Sequence, residues 1–188
     1  MLYHQRALSF MYENQLPDAT RLKLSWNQKP VMNVKDFTLE DPSTLARGLA
    51  PGIRVIGVDL GSKTIGLAIS DPNLRIASPV TTLKRLKMAV NAREVTEFMD
   101  ERGAGGLIVG LPLNMDGTEG PRSQATRDWS LSLAEKIHKP IAFWDERMST
   151  MAVERMMIKA DMTRKRRAEK VDQAAAAYIL QAALDAIK

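Results

Sequence analysis

Residues 54–70, RVIGVDLGSKTIGLAIS, decide the fold. Two apolar runs rich in β-branched residues flank the Gly61-Ser62-Lys63 turn, a pattern that predicts two antiparallel strands joined by a tight connection. A third apolar run, from about Ile76 to Leu83, extends this predicted meander. The chain therefore begins its ordered domain with three antiparallel strands.

The segment before this meander lacks its regular hydrophobic pattern. Residues 1–52 show no sustained hydrophobic period and end at the Pro51-Gly52 breaker, so we expect an N-terminal extension, partly disordered, followed by a domain over residues 53–188. Met32 offers an alternative natural start.

Helical and extended patterns alternate after the meander. They predict, in order, a helix over 86–102, a buried strand at GLIVGLP, a polar loop over 111–120, a helix ending before Pro140, a strand at IAFW, a helix containing Val153 and Met156, and a last helix over 171–187. The order β-β-β-α-β-α-β-α-α predicts an α/β fold with a mixed sheet flanked by helices.

Composition excludes several kinds of chemistry. The chain has 188 residues, no cysteine and two histidines, His4 and His138. A disulfide framework, a thiolate nucleophile and cysteine-ligated zinc are therefore excluded, and a histidine zinc site or a Ser-His-Asp triad has too few residues to form. Catalysis by this chain would rest on carboxylates.

Charge and hydropathy indicate the partners. The formal net charge is +5 and the sequence pI is about 9.6, which favours polyanionic partners through phosphate contacts. No apolar run approaches the roughly 20 residues of a spanning helix, and the N-terminus lacks a signal pattern. We expect a cytoplasmic protein without a membrane partner, acting as a monomer or a homodimer.

Asp59 is the first candidate catalytic residue. It lies near the end of the first predicted strand, on the same face as Val55 and Gly57, where an apolar residue is expected. A carboxylate in that position needs a partner. Because Asp-x-Gly-Ser also favours tight turns, a turn-capping role for Asp59 stays open.

Glu146 and Asp172 are the other two candidates. Glu146 follows the strand IAFW beside Asp145, and alternation lets one of these two acids face inward, although a solvated loop is the alternative. Asp172 shares a helical stripe with Ala176, Ile179, Ala183 and Ala186. Its place in the first turn of the predicted helix leaves stabilisation of the helix N-terminus as its alternative role.

Three clustered carboxylates would suit a metal centre. Without cations each buried acid would tend to protonate, whereas Mg²⁺ or Mn²⁺ takes oxygen ligands and removes that conflict. Two such ions can activate water and stabilise the leaving oxygen in phosphodiester hydrolysis. We therefore expect Asp59, Glu146 and Asp172 to be both metal ligands and catalytic residues.

A basic stretch immediately precedes Asp172. It contains Arg164, Lys165, Arg166, Arg167 and Lys170, which would place phosphate-binding groups beside the proposed metal centre. An ordinary solvated charged face is the alternative interpretation. Aromatic residues make up 5% of the chain, so base-stacking platforms are not expected.

Four ordered motifs carry a family resemblance: GVDLGSKTIGLAISD, IVGLPLNMDGTEGPRS, DERMSTMAVERM and KVDQAAAAYIL. Together they resemble the YqgF (RuvX) family of Holliday-junction-resolvase-like proteins, regarded as nucleases that mature the 5′ end of pre-16S ribosomal RNA. The resemblance covers roughly residues 54–184. It implies an RNase H-like fold and a role in ribosome biogenesis, with structured RNA or branched DNA as partner.

The resemblance also implies site residues. It places catalytic acids at Asp59, Glu146 and Asp172, which residue chemistry also selects. Family motif positions further suggest substrate contacts at Asn114 and Arg147, and at Ser149 and Thr150, although these last two could simply cap a helix.

Three alternatives remain open. DLGSKTIG is also similar to the phosphate-binding loop of sugar-kinase, actin and Hsp70-like ATPases, but the chain lacks room for their second lobe. A non-catalytic nucleic-acid-binding module would use the basic stretch without the acids. Within the nuclease hypothesis, cleavage of Holliday-junction DNA is the alternative to RNA processing.

Overall fold

The computed structural model describes residues 38–39, 41–147 and 164–187, with side chains over 41–147 and 171–187. These residues all belong to one compact unit, Asn33–Lys188. The strands are β1 (Thr38–Leu39), β2 (Arg54–Leu60), β3 (Thr64–Ser70), β4 (Ala77–Lys84), β5 (Ala104–Leu111) and β6 (Ile141–Asp145), and the helices are α1 (Pro42–Gly48), α2 (Met88–Arg102), α3 (Pro121–Ile137) and α4 (Arg164–Ile187).

The strands form one six-stranded sheet in the order β1-β6-β5-β2-β3-β4. β2, β3 and β4 are antiparallel neighbours, whereas β5 runs parallel to β2, and β6 runs parallel to β5 and β1. The expected RNase H-like arrangement, three antiparallel strands followed by parallel strands and flanked by helices, is confirmed. In such a sheet, β2, β5 and β6 all end at the same edge.

Alternation along the strands divides the core into two layers. Ile56, Val58, Leu107 and Val109 pack on one face of the sheet with residues of α2 and α3. Val55, Ala68, Ile108 and Ala142 pack on the other face with α1 and α4. Because side chains alternate between faces, the odd-numbered residues of β2, including Asp59, face α4.

Glycines allow α4 to lie close to its face of the sheet. A Cβ atom added to Gly57 would lie 2.6 Å from Leu180 Cβ, and one added to Gly66 would overlap the backbone carbonyl of Asp172. Both distances are shorter than real Cβ contacts allow. The closely packed helix thus carries Asp172 directly over β3.

The chain before residue 53 contributes to this fold. Asp41 caps α1 by accepting a hydrogen bond from the Ser43 backbone N–H at 3.0 Å, and Leu45 of α1 is buried in the α4-side core. β1 pairs in parallel with β6. β1 therefore adds a strand to the sheet, and α1 covers part of the face that α4 also covers. A domain boundary at residue 53 stays a prediction.

The last helix differs from its expected form in its start and in its apolar stripe. The last helix begins at Arg164 and not at Val171, so the basic stretch forms its first two turns. Ala186 is exposed, while Ala176, Ile179 and Ala183 are fully buried, so the apolar stripe ends before the C-terminus.

The predicted helix containing Val153 and Met156 lies outside the described residues. No described helix is long and apolar enough to cross a membrane.

Candidate active site

Asp59 lies at the end of β2 on the sheet face covered by α4. The antiparallel register places it opposite Gly66 of β3, the residue whose missing side chain admits the Asp172 backbone. Cross-strand partners have their side chains on the same face. The fold therefore brings Asp59 and Asp172 together, although 112 positions separate them in the sequence.

Glu146 approaches the same position from β6. Its backbone N–H donates to the Leu111 carbonyl at 3.2 Å, which prolongs the β5–β6 pairing by one residue. A Cβ atom added to Gly110 would lie 2.6 Å from both Glu146 Oε2 and Ile179 Cδ1. Glu146 therefore occupies the α4 face, above a glycine of β5.

Asp145 points away from this site, as alternation requires. It is exposed and pairs with Arg147, whose Nε donates to Asp145 Oδ2 at 2.8 Å and whose backbone N–H donates to Oδ1 at 3.0 Å. Burial would raise the pKa of Asp145, but the hydrogen bonds from Arg147 outweigh it and the pKa is lowered. Of the two adjacent acids, Glu146 is the one that faces inward.

Burial and neighbouring acids perturb Asp59. Desolvation, together with the negative charges of Glu146 and Asp172, raises the pKa of Asp59 from 3.8 to about 7, while Arg122 opposes the rise. The carboxylate is thus held where its ionised form is unfavourable without a cation. Shifts of this kind are typical of functional sites, and also of structural charge networks.

Glu146 is perturbed in the same direction. Burial raises its pKa, Arg122 opposes that rise, and Asp145 adds to it. Two acids on different strands therefore both resist ionisation at one sheet edge. A turn aspartate outside the site, Asp71, behaves in the opposite way: hydrogen bonds from the backbone N–H groups of Ile76, Arg75 and Asn73 lower its pKa.

The donor set fits a hard divalent cation. Carboxylate oxygens are the ligands that Mg²⁺ and Mn²⁺ prefer, and a bound cation would stabilise the ionised acids. Among the residues the structure describes, however, no three His, Cys, Asp or Glu side chains already converge as a metal cluster. The acids share one face of the sheet without being drawn together around a common point.

The alternative role for Asp172 at a helix N-terminus is wrong. Because α4 begins at Arg164, Asp172 lies in the third turn, beyond the first turn where a helix dipole acts strongly. Asp172 instead lines a cleft of about 430 Å³ between α4 and the β3–β4 edge, together with Gln173, Thr64, Thr82 and Lys84.

The other predicted site residues have different surroundings. Asn114 is exposed, and its Nδ2 donates to Thr118 Oγ1 at 2.9 Å within the loop between β5 and α3. Arg147 lies next to the same loop, with Nη1 3.3 Å from a Cβ atom built on Gly117. A substrate role for either residue stays a prediction, and for Arg147 it competes with the Asp145 ion pair.

The remaining predicted residues lie outside the described residues or have only their backbones described. Ser149 and Thr150 lie outside the described residues. The backbones of Arg164, Lys165, Arg166, Arg167 and Lys170 form the start of α4, but their side chains lie outside the described part. Their substrate-binding roles also stay predictions.

Two further arginines beside the end of β2 were not anticipated from the sequence. Arg122 lies in the first turn of α3, and its charge acts on both Asp59 and Glu146. Arg85 follows β4 and donates from Nη1 to the Gly61 carbonyl at 3.0 Å. No period or motif marks these residues, because their importance comes from the tertiary structure. The Pro-Arg pair that begins a helix is the one local signal.

Comparison with known proteins identifies the family. A RuvX family model, described as Holliday junction resolvase, matches residues 53–186. The chain belongs to the RuvX family. A protein of Rhodospirillum centenum named "Putative pre-16S rRNA nuclease" is 57% identical to this RuvX chain over 140 residues, which cover 72% of the chain and 74% of the relative.

A second relative agrees with this assignment. A protein of Rhodospirillum rubrum with the same name is 53% identical over 145 residues, covering 77% of the chain and 90% of the relative. Among solved structures, Thermus thermophilus RuvC in complex with a Holliday junction substrate gives a TM-score of 0.48 at 15% identity, covering 72% of this RuvX chain and 93% of the other. The family is one of nucleases, so hydrolysis of phosphodiester bonds is the chemistry of this chain.

Proposed function

We propose that this RuvX chain is a metal-dependent nuclease that processes the 5′ end of pre-16S ribosomal RNA during ribosome biogenesis. One observation carries the proposal: Asp59, Glu146 and Asp172, from three distant segments, come to one face of the sheet, and Asp59 is held with a raised pKa. The names of the relatives support the choice of RNA. Such a substrate would place the protein in the cytoplasm.

The three acids would hold Mg²⁺ or Mn²⁺. When bound, a divalent cation supplies Lewis-acid stabilisation of the phosphodiester and lowers the pKa of water. The sheet gives Asp59 and Glu146 fixed backbones at the ends of β2 and β6, the two strands that flank β5, while α4 brings Asp172 from above. Rigid supports of this kind keep ligand atoms in place and reduce reorganisation during the reaction.

The substrate strand would lie across this edge of the sheet. The Asp172 cleft between α4 and β4 leads to the acids from one side. The basic first turns of α4 precede Asp172 in the same helix, so their charges would contact phosphates of the strand. Asn114 and Arg147, beside the β5–α3 loop, would contact it from the opposite side, and Ser149 and Thr150 would support the Glu146 end.

A second candidate is the cleavage of branched DNA. The description of the matching family favours it, because that family is described as Holliday junction resolvase. The metal chemistry of the acids does not distinguish the two polymers. A resolvase also acts symmetrically on two strands, which would require a homodimer, whereas RNA end processing needs only one active site.

A direct comparison tests both candidates. Purified protein is given a 5′-extended pre-16S RNA fragment or a four-way DNA junction, with Mg²⁺ or Mn²⁺, in parallel with Asp59→Asn. We expect cleavage of the RNA by the wild type alone. Preferential cleavage of the junction would replace the RNA proposal with the DNA one, and cleavage of neither would refute nuclease activity on these substrates.

A further inference from the structure

A second cleft, of about 300 Å³, opens beside the end of β2 on the side away from α4. Gly61 and Ser62 form one wall, Arg85 lies on the second, and Arg122 with Thr126 of α3 forms the third. Leu60 also lines it, and Leu60 is the immediate neighbour of Asp59. The cleft therefore begins one residue from the proposed catalytic acid.

Hydrogen bonds hold the backbone around Arg122 in place, and the Arg122 side chain is exposed. The buried Ser123 donates its hydroxyl hydrogen to the Pro112 carbonyl, and Thr126 Oγ1 donates to the Arg122 carbonyl at 3.0 Å. These bonds hold the first turn of α3 against the chain that leaves β5. The Arg122 side chain is exposed, and no carboxylate in the described ranges forms an ion pair with it.

Arg85 is held more firmly. Its backbone N–H donates to the Lys63 carbonyl at 2.8 Å, and its guanidinium donates to the Gly61 carbonyl at 3.0 Å. The side chain is half-buried. A guanidinium carries five N–H donors, so one bond to a carbonyl leaves others to face the cleft.

The two arginines place positive charge in the cleft beside the end of β2, where it would attract an anionic substrate strand. The strand to be cut is itself anionic, and it must approach a site built from three acids. Arg122 lies close enough to those acids for its positive charge to act on both Asp59 and Glu146. Guanidinium groups bind phosphate oxygens with two parallel hydrogen bonds, which fixes position as well as charge.

We propose that Arg122 and Arg85 form a binding site for a backbone phosphodiester of the substrate strand, one that flanks the scissile phosphate. The site rests on the proposed nuclease function and names residues that would set the position of the cut. The strand would enter along the Asp172 cleft, pass the acids and leave through the arginine cleft. One cleft is lined by Asp172 and the other by Leu60, the neighbour of Asp59, so a strand that occupied both would pass the acids.

The test compares Arg122→Gln with Arg93→Gln. Both variants lose one positive charge, but Arg93 is an exposed residue of α2 paired only weakly, at 3.9 Å, with Glu97. RNA binding is measured by fluorescence anisotropy over a series of salt concentrations, in EDTA to prevent cleavage. Loss of one charged phosphate contact should weaken binding roughly tenfold at low salt and reduce the slope of log K against log salt by about 0.7.

A second experiment identifies which phosphate of the RNA Arg122 contacts. RNAs that each carry one neutral methylphosphonate linkage are bound to the wild type and to Arg122→Gln. At one position next to the cleavage point, neutralisation should weaken wild-type binding about tenfold and leave Arg122→Gln unaffected. If only removal of a terminal 5′-phosphate reproduces this pattern, the cleft holds a strand end and the internal placement is overturned.

The outcomes separate this inference from the proposed function. Equal affinities and salt slopes for Arg122→Gln, Arg93→Gln and wild type would overturn the site while leaving the nuclease proposal intact. A protein that cleaves no RNA, but loses binding with Arg122→Gln, would retain the phosphate site and lose the nuclease activity. Failure of the wild type to bind RNA at all would overturn both.

Discussion

Asp59→Asn should stabilise the metal-free protein at neutral and alkaline pH, even though it removes a proposed catalytic group. The native pKa of Asp59 is raised from 3.8 to about 7, so the folded state binds a proton that the unfolded state has released. Stability from this group is therefore full below about pH 4 and is lost as pH rises toward 7. A neutral asparagine does not incur this loss.

The size of the effect follows from the shift. A rise of this extent corresponds to at most about 4 kcal/mol in the free energy of unfolding, and partial exposure of Asp59 reduces it. For a domain of this size that is a melting temperature higher by up to roughly 10 °C. The gain should be full at pH 8 and should fall to about a quarter of that value at pH 4.5.

The assay is urea unfolding in EDTA at both pH values, with Asp100→Asn as a control. Asp100 is an exposed residue at the end of α2. Adding Mg²⁺ should then stabilise the wild type more than Asp59→Asn, because the ion binds the native acids. Equal stability of wild type and Asp59→Asn at pH 8 in EDTA, or a less stable variant, would refute the electrostatic reasoning.

Two further predictions concern packing and charge. Gly66→Ala should destabilise the fold by about 1 to 3 kcal/mol, since its Cβ would overlap an α4 carbonyl, whereas Gly48→Ala meets no atom within 4 Å and should be nearly neutral; thermal unfolding compares them, and equal losses would contradict the close approach of α4. Reversing the charges of Arg166 and Arg167 to glutamate should weaken RNA binding and reduce its salt dependence. Unchanged binding in an anisotropy titration would assign these residues to a solvated face.

The sequence allowed the sheet and the acids to be predicted for definite physical reasons. β-branched runs between turn residues mark β2 and β3, and two-residue alternation puts Asp59 on the α4 face. The same rule separates Glu146 from Asp145, once it is known which face the helix covers. These inferences depend on local periodicity, which a single sequence displays directly.

Features that depend on long-range packing could not be predicted from the sequence in the same way. β1 is two residues long, and its pairing with β6 joins positions about 100 apart, so no local pattern reveals it. The basic residues that begin α4 have no apolar period, which moved the expected helix start to Val171. Arg85 and Arg122 line one cleft beside the end of β2 only because the hairpin turn and the start of α3 meet at one sheet edge.

We propose that Asp59, Glu146 and Asp172 catalyse phosphodiester hydrolysis in RNA. The most direct measurement maps the 5′ ends produced from a 5′-extended pre-16S RNA fragment in Mg²⁺ by wild type, Asp59→Asn, Asp172→Asn and Asp100→Asn. Wild type and Asp100→Asn should produce one defined new end, and the other two variants should reduce its rate by at least about a hundredfold. Cleavage at the wild-type rate by Asp59→Asn or Asp172→Asn would contradict the account.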